Sequence, residues 1–275
     1  MSDSCVVSAL YSYPVKSCQG ASVPAAELSP FGLEGDRQLL ILNDGKFTNQ
    51  ARLPKLATVG TRRIAPDCIE FTAGGRSLTH TVTSDGAAST IEFYGNAVRV
   101  LDQGDALAEL LSDSIGKPLR VVSLESTFQR AIPLEEFALV DGTTQSRFVD
   151  VAPILVTSVA SLADLNTRLE EPVPMNRFRP NVVIEGLDAY EEDAVVALEG
   201  DGWALARATH CERCATTCTD QETGVRTSEP LATLKSYRHR ENGYAGGVLF
   251  GAYMAVNGEG TIRVGDRLRV VRPDS

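Results

Sequence analysis

The sequence predicts a mainly β fold with some α structure (α+β), in which short strands form barrel-like sheets and helices are few and short. Two observations support this fold class. From residue 6 to residue 122, short runs of β-forming residues are separated by the turn-forming residues Gly, Pro and Asp. Only three segments of the chain show the apolar spacing of a helix. Regularly spaced short strands of this kind favour a barrel or a curled antiparallel sheet.

The predicted strands of the first half are short and closely spaced. Residues 6–13 are rich in β-forming side chains and end at Pro14. Residues 37–42 lead into Asn43-Asp44-Gly45, a strong turn signal, so 46–48 is predicted to return as the second strand of a hairpin. The other strands predicted in this half are 56–63, 68–72, 91–93 and 97–101.

Three segments are predicted to be helices. Residues 105–115 place leucines on one face and stop at Gly116-Lys117-Pro118. Residues 158–169 have leucines at helical spacing and Ser158 as a suitable N-cap. A third, shorter helix is predicted at 231–237.

Strands return in the second half of the chain. Residues 154–157 and 182–184 read as buried strands, and 203–207 is a strand that leads into a cysteine-rich stretch. Residues 249–256 and 261–271 are predicted to close the chain as a hairpin-like pair.

Length and composition limit the class of protein. A chain of 275 residues with 43% hydrophobic residues can form one large domain or two smaller ones, and the polar stretch 125–150 is the predicted junction or surface excursion. The net charge of −10 argues against a nucleic-acid binder and a basic membrane-surface protein. No signal peptide or long apolar run is recognisable. We therefore expect a soluble, cytoplasmic monomer.

The stretch His210-Cys211-Glu212-Arg213-Cys214, with Cys218 beyond it, concentrates the unusual chemistry. Soft sulfur ligands at this spacing suit a metal, and a thiolate beside an arginine is favoured electrostatically. Three interpretations are open. The cysteines and His210 could form a structural zinc site. One cysteine alone could hold a thiophilic metal that is bound mainly by a cofactor. The thiols could also be packing residues or a redox dithiol.

Basic side chains at several strand ends could converge on one anion. Lys16-Ser17 follow the first strand, Arg37 stands at a loop-to-strand step, and Arg179 precedes a buried strand. Guanidinium groups suit phosphate, although a surface ion pair is the commoner fate of an arginine. Asp150 ends the polar stretch just before a buried strand, where a carboxylate could handle protons or simply cap a turn.

These motifs resemble one family, in order and over nearly the whole chain. Tyr13-Pro14-Val15-Lys16-Ser17 and Gly32-Leu33-Glu34-Gly35-Asp36-Arg37 resemble the N-terminal β-barrel domain that accompanies MOSC domains. Arg177-Phe178-Arg179-Pro180-Asn181 and Cys211-Glu212-Arg213-Cys214 resemble the MOSC domain itself. Among MOSC proteins, the motifs are most similar to the amidoxime-reducing components, which are molybdenum enzymes.

The resemblance implies a domain division and a cofactor. An N-terminal MOSC β-barrel domain would occupy residues 1–125, and a β-barrel-like MOSC domain would occupy 126–275. The cofactor would be the molybdenum cofactor, Mo-molybdopterin, with Cys214 as the protein ligand of the metal and Asp150 as an acidic catalytic residue nearby. The residues expected to hold the pterin and its phosphate are Lys16, Ser17, Arg37, Arg179 and Arg213.

The neighbours of Cys214 receive lesser roles from this resemblance. Cys211 and Cys218 would be bystanders of a site with a single thiolate. Glu212 stands where relatives often have a small or neutral residue, and it would place a negative charge near the phosphate end of the cofactor.

The resemblance also implies a reaction. The protein would be a molybdenum-dependent oxidoreductase that reduces small N-hydroxylated compounds (amidoximes, hydroxylamines and N-hydroxy bases) to amines. Because no ferredoxin-like extension or membrane segment is recognisable, a separate reductase, ferredoxin or cytochrome is expected to donate the electrons. One alternative is a non-catalytic carrier of the cofactor or of sulfur, with a persulfide on Cys214. The other is the structural zinc protein.

Overall fold

The computed structural model describes residues 2–125, 130–131 and 145–273. The protein is mainly β, with 43% of its residues in strands and three α-helices in the part of the chain so described. The predicted fold class is confirmed. None of the helices within these ranges is both long enough and apolar enough to cross a membrane.

The first half of the chain contributes twelve strands and one helix. In chain order they are β1 (Ser4–Ser12), β2 (Ala21–Ser22), β3 (Ala25–Ser29), β4 (Gly32–Leu33), β5 (Leu39–Asn43), β6 (Lys46–Phe47), β7 (Gly60–Ala65), β8 (Cys68–Ala73), β9 (Arg76–Thr81), β10 (Ala88–Phe93), β11 (Asn96–Asp102), α1 (Asp105–Ile115) and β12 (Leu119–Leu124).

The second half contributes the remaining strands and two short helices. They are β13 (Arg130–Ala131), β14 (Gln145–Ser146), β15 (Ile154–Ser158), α2 (Val159–Asn166), β16 (Val182–Glu185), β17 (Ala197–Glu199), β18 (Trp203–Glu212), α3 (Leu231–Tyr237), β19 (Leu249–Gly258), β20 (Gly260–Arg263) and β21 (Arg267–Val271).

Seven strands form a closed barrel. Their order is β16-β15-β19-β18-β17-β21-β1, and β1 closes the ring by pairing with β16. Only β15 and β16 run parallel to each other in this ring. Cys5 and Val7, alternate residues of β1, belong to the same buried cluster as Val156, Ile184 and Met254. Removal of this apolar surface from water stabilises the barrel.

Two sheets of the first half pack against helix α1. A five-stranded sheet has the order β10-β11-β12-β5-β6, and β7, β8 and β9 form a separate three-stranded sheet. The leucine face of α1, including Leu107 and Leu111, is buried with Phe71 and Val121. The helix ends at Gly116, whose φ of 76° lets its N–H bond to the carbonyl of Ser112.

The three predicted helices are confirmed, one of them with a different end. Helices α1 and α3 have the predicted bounds, and the Ser158 hydroxyl caps α2 by accepting the Ala160 N–H at 3.1 Å. Helix α2 ends at Asn166 and not at residue 169. The Asn166 amide exchanges two hydrogen bonds with the backbone of Val173, at 2.9 and 3.0 Å, and so turns the chain back.

Two strand predictions are wrong in part. Residues Pro54–Thr58 form a 3-10 helix, so only the end of the predicted strand 56–63 lies in β7. Proline fixes its own φ and offers no N–H to a sheet, which favours the helical turn here. The predicted strand 203–207 is longer than expected, since β18 continues to Glu212.

The prediction that 249–256 and 261–271 form a hairpin-like pair is wrong. Strand β19 pairs with β15 and β18, β20 pairs with β3, and β21 pairs with β17 and β1. Hydrophobic periodicity identifies a strand but does not choose its partner. Here the closure of the barrel decides the pairing of β19 and β21, whereas β20 joins a separate sheet with β3 and β4.

The division into 1–125 and 126–275 stays a prediction. Strand β1 lies in a barrel that is otherwise built from the second half, and β20 of the second half pairs with β3 of the first. The predicted junction, 125–150, falls largely outside the described residues. Of its described part, β13 and β14 pair with each other.

Candidate active site

A cavity of about 360 Å³ lies at the ends of four barrel strands, β1, β15, β16 and β18, and is lined by the loops next to them. Its lining includes every residue to which the family resemblance assigned a catalytic or cofactor-binding role: Lys16, Ser17, Arg37, Asp150, Arg179, Arg213 and Cys214. Side chains that are as much as 198 positions apart in the chain (16 and 214) therefore meet in one space. Their individual roles remain predictions.

Three of these residues are held in a left-handed backbone conformation. The φ angles are 70° at Ser17, 47° at Arg37 and 55° at Arg179. Residues with a side chain adopt such angles mainly where the surrounding structure imposes them. The N–H of Arg37 is fixed by the Tyr13 carbonyl at 2.8 Å. Three left-handed residues at one cavity suggest that the loops are shaped to turn polar groups towards it.

Tyr13 brings two of the arginines together. Its ring centroid lies 4.3 Å from the guanidinium carbon of Arg37 and 4.4 Å from that of Arg179. Asp36 pairs with Arg37 and accepts the Tyr13 N–H at 2.7 Å. Arg179 is 9% exposed, and it donates to the carbonyl of Cys18 at 2.6 Å. The aromatic ring and one buried carboxylate thus hold two cations side by side.

Lys16 and Asp150 form an ion pair at the cavity. Lys16 Nζ lies 2.5 Å from Asp150 Oδ1, and the Tyr94 hydroxyl donates to the same oxygen at 2.6 Å. Three aromatic rings, those of Phe47, Phe93 and Tyr94, lie 5.7 to 5.9 Å from Nζ. The ammonium group, at the end of a side chain that is 7% exposed, is therefore stabilised by both the carboxylate and the rings.

Asp150 is an anion at neutral pH. Desolvation by the surrounding protein raises the pKa of its carboxyl group. The charge of Lys16 and the hydrogen bonds from Lys16 and Tyr94 lower the pKa by more than desolvation raises it, so the pKa lies well below its ordinary value. The side chain is 56% exposed because it faces the open cavity, although protein surrounds it on the other sides. Asp150 is thus suited to accept hydrogen bonds, and not to store a proton.

The cysteine cluster contains one exposed thiol. Cys214 follows strand β18 and is exposed at the cavity, whereas Cys211 and Cys218 are buried. Arg213 Nη1 donates to Cys211 Sγ at 2.7 Å, and a hydrogen bond from Tyr253 reaches the same sulfur. Burial raises the pKa of the Cys211 thiol even though these two groups oppose the rise.

The arrangement does not support a zinc site. His210 Nε2 lies 3.1 Å from the carbonyl oxygen of Asp193, and Cys218 Sγ contacts the carbonyl of Ser228 at 3.3 Å. Within the described ranges, no group of three or more His, Cys, Asp or Glu side chains is placed to hold a metal ion. A multi-residue cage around His210, Cys211, Cys214 and Cys218 is therefore absent from this part of the chain.

Glu212 lines the cavity, and its negative charge is compensated within the protein. Its side chain is fully buried and pairs with Arg240 at 3.0 Å. It also accepts the backbone N–H groups of Tyr244, Ala245 and Gly247. The partners of the carboxylate come from the chain around residues 240–247 and not from a cofactor.

Several functional neighbours were not identified from the sequence. Tyr94, Tyr244 and Tyr253 line the cavity. Gln50 and Gln221 are buried and exchange two amide hydrogen bonds at 3.0 and 3.1 Å, and Gln221 also accepts from Arg179 at 3.3 Å. Gln221 lies in the stretch Asp220-Gln221-Glu222-Thr223-Gly224, which also resembles a segment of the MOSC domain and was the available signal. The tyrosines had none: Tyr253 lies in strand β19, where an aromatic residue usually packs in a core, and Tyr94 and Tyr244 lie in connections outside the strands.

The chain is similar to known proteins over most of its length. It matches the family models for the MOSC N-terminal beta barrel domain at residues 4–118 and for the MOSC domain at residues 143–269. It is 35% identical over 274 residues to mitochondrial amidoxime reducing component 2 of Bos taurus, and the match covers 94% of this chain and 81% of that protein.

Two further relatives extend the comparison. Mitochondrial amidoxime-reducing component 1 of Homo sapiens is 35% identical over 283 residues, which cover 94% of this chain and 81% of the relative. Molybdenum cofactor sulfurase of Oryza sativa subsp. japonica is 30% identical over 278 residues, which cover 94% of this chain but only 34% of that protein.

Proposed function

The chain belongs to the MOSC-domain family of amidoxime-reducing components, and from this premise we propose that it is a molybdenum-cofactor-dependent oxidoreductase that reduces N-hydroxylated compounds to amines. One observation carries the proposal. A single exposed thiol, that of Cys214, shares a cavity with four cationic side chains, those of Lys16, Arg37, Arg179 and Arg213.

The donor set suits the proposed cofactor. A lone accessible thiolate is a soft ligand for a thiophilic metal, and the cations offer the donors that a phosphate group requires. Arg213 Nε is buried and has no hydrogen-bond partner among the described residues, so a bound anion could satisfy it. Cys214 would hold the metal, and the residues that would hold the pterin and phosphate are Lys16, Ser17, Arg37, Arg179 and Arg213.

The chain's own residues would bind and orient the reactants. The cofactor, when bound, would supply the two-electron chemistry that the protein's side chains lack. Reduction of an amidoxime to an amidine breaks the N–O bond, consumes two electrons and two protons, and releases water. Asp150, kept ionised by Lys16 and Tyr94, would accept a hydrogen bond from the amino group of the substrate. A separate electron-donor protein would deliver the electrons.

The proposal is tested by metal analysis combined with a reductase assay. The purified protein, produced in a host that makes the cofactor, should contain about one molybdenum per chain together with a pterin. It should convert benzamidoxime to benzamidine with a strong artificial electron donor. Protein that contains the metal and the pterin but reduces no N-hydroxylated compound would contradict the proposed reaction.

A sulfur or cofactor carrier is the second candidate. Its supporting observations are the similarity to a molybdenum cofactor sulfurase and the exposed Cys214 thiol. In this case Cys214 would carry a persulfide and transfer its outer sulfur. Trapping of a persulfide on Cys214, combined with the absence of reductase activity, would favour the carrier over the reductase.

A further inference from the structure

One wall of the cavity is a loop that has little regular structure of its own. Residues 242–247 lie in the connection between helix α3 and strand β19 and bring Tyr244 and Ala245 to the cavity. Three of these six residues are glycines and none is charged. Glycine-rich backbone loses much conformational entropy when it is ordered, so the loop requires outside contacts to keep one position.

The carboxylate of Glu212 supplies these contacts. Oε1 accepts the N–H of Tyr244 at 3.0 Å, and Oε2 accepts those of Ala245 at 2.5 Å and Gly247 at 2.9 Å. Arg240, just before the loop, donates twice to Oε1, at 3.0 and 3.2 Å. Because the Glu212 side chain is fully buried, no water competes for these bonds.

The loop also holds the segment that carries Glu212. The Tyr244 hydroxyl accepts the Glu212 N–H at 3.1 Å and donates to the carbonyl of His210, also at 3.1 Å. Strand β18 has a bulge between His210 and Glu212, and Cys214 stands two residues further on. The loop and the strand end that leads to Cys214 therefore hold each other in place through hydrogen bonds from both sides.

Glycines allow the loop to approach this closely. A Cβ atom on Gly243 would lie 2.4 Å from the Cα of Gly247 and 2.5 Å from Glu212 Oε1. A Cβ atom on Gly247 would lie 2.1 Å from the carbonyl oxygen of Arg240. Side chains at either position would push the loop away from the carboxylate.

We propose that Glu212 is a positioning residue whose buried carboxylate fixes the 242–247 loop as a wall of the cavity. The wall adds no cation, whereas Lys16, Arg37 and Arg179 come from other segments. The loop therefore contacts the uncharged part of whatever the cavity holds. The identity of that occupant, an N-hydroxylated substrate, rests on the proposed function. The hydrogen bonds between Glu212 and the 242–247 loop, called the clamp below, do not depend on it.

Hydrogen exchange of the backbone tests the clamp without any assay of activity. In Glu212→Gln, the amides of residues 242–247 should exchange about tenfold faster or more than in the wild-type protein, since an amide cannot replace both carboxylate oxygens as acceptors. Glu241→Gln is the matched control: it removes the same charge from an exposed neighbour and should leave the exchange of the loop unchanged.

A second variant changes the same loop and leaves Glu212 in place. Gly243→Ala should accelerate exchange in the same residues because its methyl group displaces the backbone from the carboxylate. Loop amides that exchange at the wild-type rate in both Glu212→Gln and Gly243→Ala would overturn the proposal. Both variants can be measured whether or not metal is bound.

Steady-state kinetics then connect the clamp with the substrate. Glu212→Gln is expected to retain its molybdenum and to show a KM for benzamidoxime raised about tenfold with a smaller change in kcat, because the displaced wall weakens substrate binding. Absence of reductase activity in the wild-type protein would contradict the proposed function but not the role of Glu212 in holding the loop. Faster exchange with an unchanged KM would overturn the part of the proposal that assigns the wall to the substrate.

Discussion

At the scale of single residues, the cavity depends on neutral and acidic side chains that keep cations close together. Arg37 and Arg179 would repel each other in a low-dielectric site, and Tyr13 offers the π-face that both contact. Burial raises the pKa of Tyr13 to about 12, although the two arginines oppose the rise. Tyr13 is therefore a neutral ring at physiological pH, and its value to the site lies in the ring and not in the hydroxyl.

This separation of ring from hydroxyl can be measured. Tyr13→Leu should lower the free energy of unfolding by about 2–3 kcal/mol, because it removes two cation–π contacts and leaves unfilled volume. Tyr13→Phe should change it by less than about 1 kcal/mol, since the hydroxyl has no hydrogen-bond partner among the described residues. Urea unfolding of both variants decides the matter, and equal losses in the two would contradict this role for the ring.

Asp150 predicts a pH-dependent contribution to stability. Its folded-state pKa lies below the unfolded value of about 3.9, so its stabilising effect is present above that pH and is lost as the pH falls towards the folded-state pKa. Asp150→Asn should therefore be less stable than the wild type at pH 7, and the difference should shrink below about pH 4. Urea unfolding at both pH values tests this. A difference that stays constant or grows on acidification would rule out the ion pair with Lys16 as its source.

At the scale of elements, the contact between strands β15 and β19 depends on Gly251. Its φ is 80°, and a Cβ atom there would lie 2.6 Å from the Val156 carbonyl oxygen, so a side chain would force the two barrel strands apart. Tyr253, two residues further along β19, lines the cavity. The close approach of the strands and the shape of the cavity thus depend on the same residue.

A comparison of two glycines isolates this effect. Gly251→Ala should lower the free energy of unfolding by about 3 kcal/mol or more, through backbone strain and a steric clash together. Gly45→Ala shares the left-handed φ, at 71°, but its Cβ atom would meet nothing within 4 Å, so a loss of only about 1 kcal/mol is expected. Similar thermal or urea stability of the two variants would contradict the close-packing argument.

The same scale shows what could be predicted from the sequence. Helix α1 was predicted at its observed bounds because its leucine spacing and Gly116 are local signals. The pairing of β19, β20 and β21 was not, since partners such as β3 and β1 lie more than two hundred residues earlier in the chain. The site residues were found through motifs, whereas Tyr94 and the loop contacts of Glu212 arise only from the tertiary fold.

At the scale of the whole molecule, the two halves of the chain share both a barrel and a buried polar contact. Strand β1 closes the ring of strands from the second half. Gln50 and Gln221 are 0% and 2% exposed and satisfy each other's amides across 171 positions of sequence. Arg226 extends the contact by donating to the carbonyl of Ala51 at 2.9 Å. We expect the halves to unfold together.

A double-mutant cycle measures the polar contact between the halves. Gln50→Ala and Gln221→Ala should each lower the free energy of unfolding by about 2 kcal/mol, because each removes the two hydrogen bonds that the remaining buried amide makes to its partner. The double variant should lose about 1–2 kcal/mol less than the sum. Additive losses would show that the two amides do not stabilise each other.

The central claim is that Cys214 alone among the clustered cysteines holds a metal, and molybdenum content measures it directly. The test compares Cys211→Ala, Cys214→Ala and Cys218→Ala, each checked for a folded barrel by circular dichroism. The wild type, Cys211→Ala and Cys218→Ala should each retain about one molybdenum per chain, and Cys214→Ala should lose the metal and the benzamidoxime reductase activity. A Cys214→Ala protein that keeps full metal content and full activity would contradict the account.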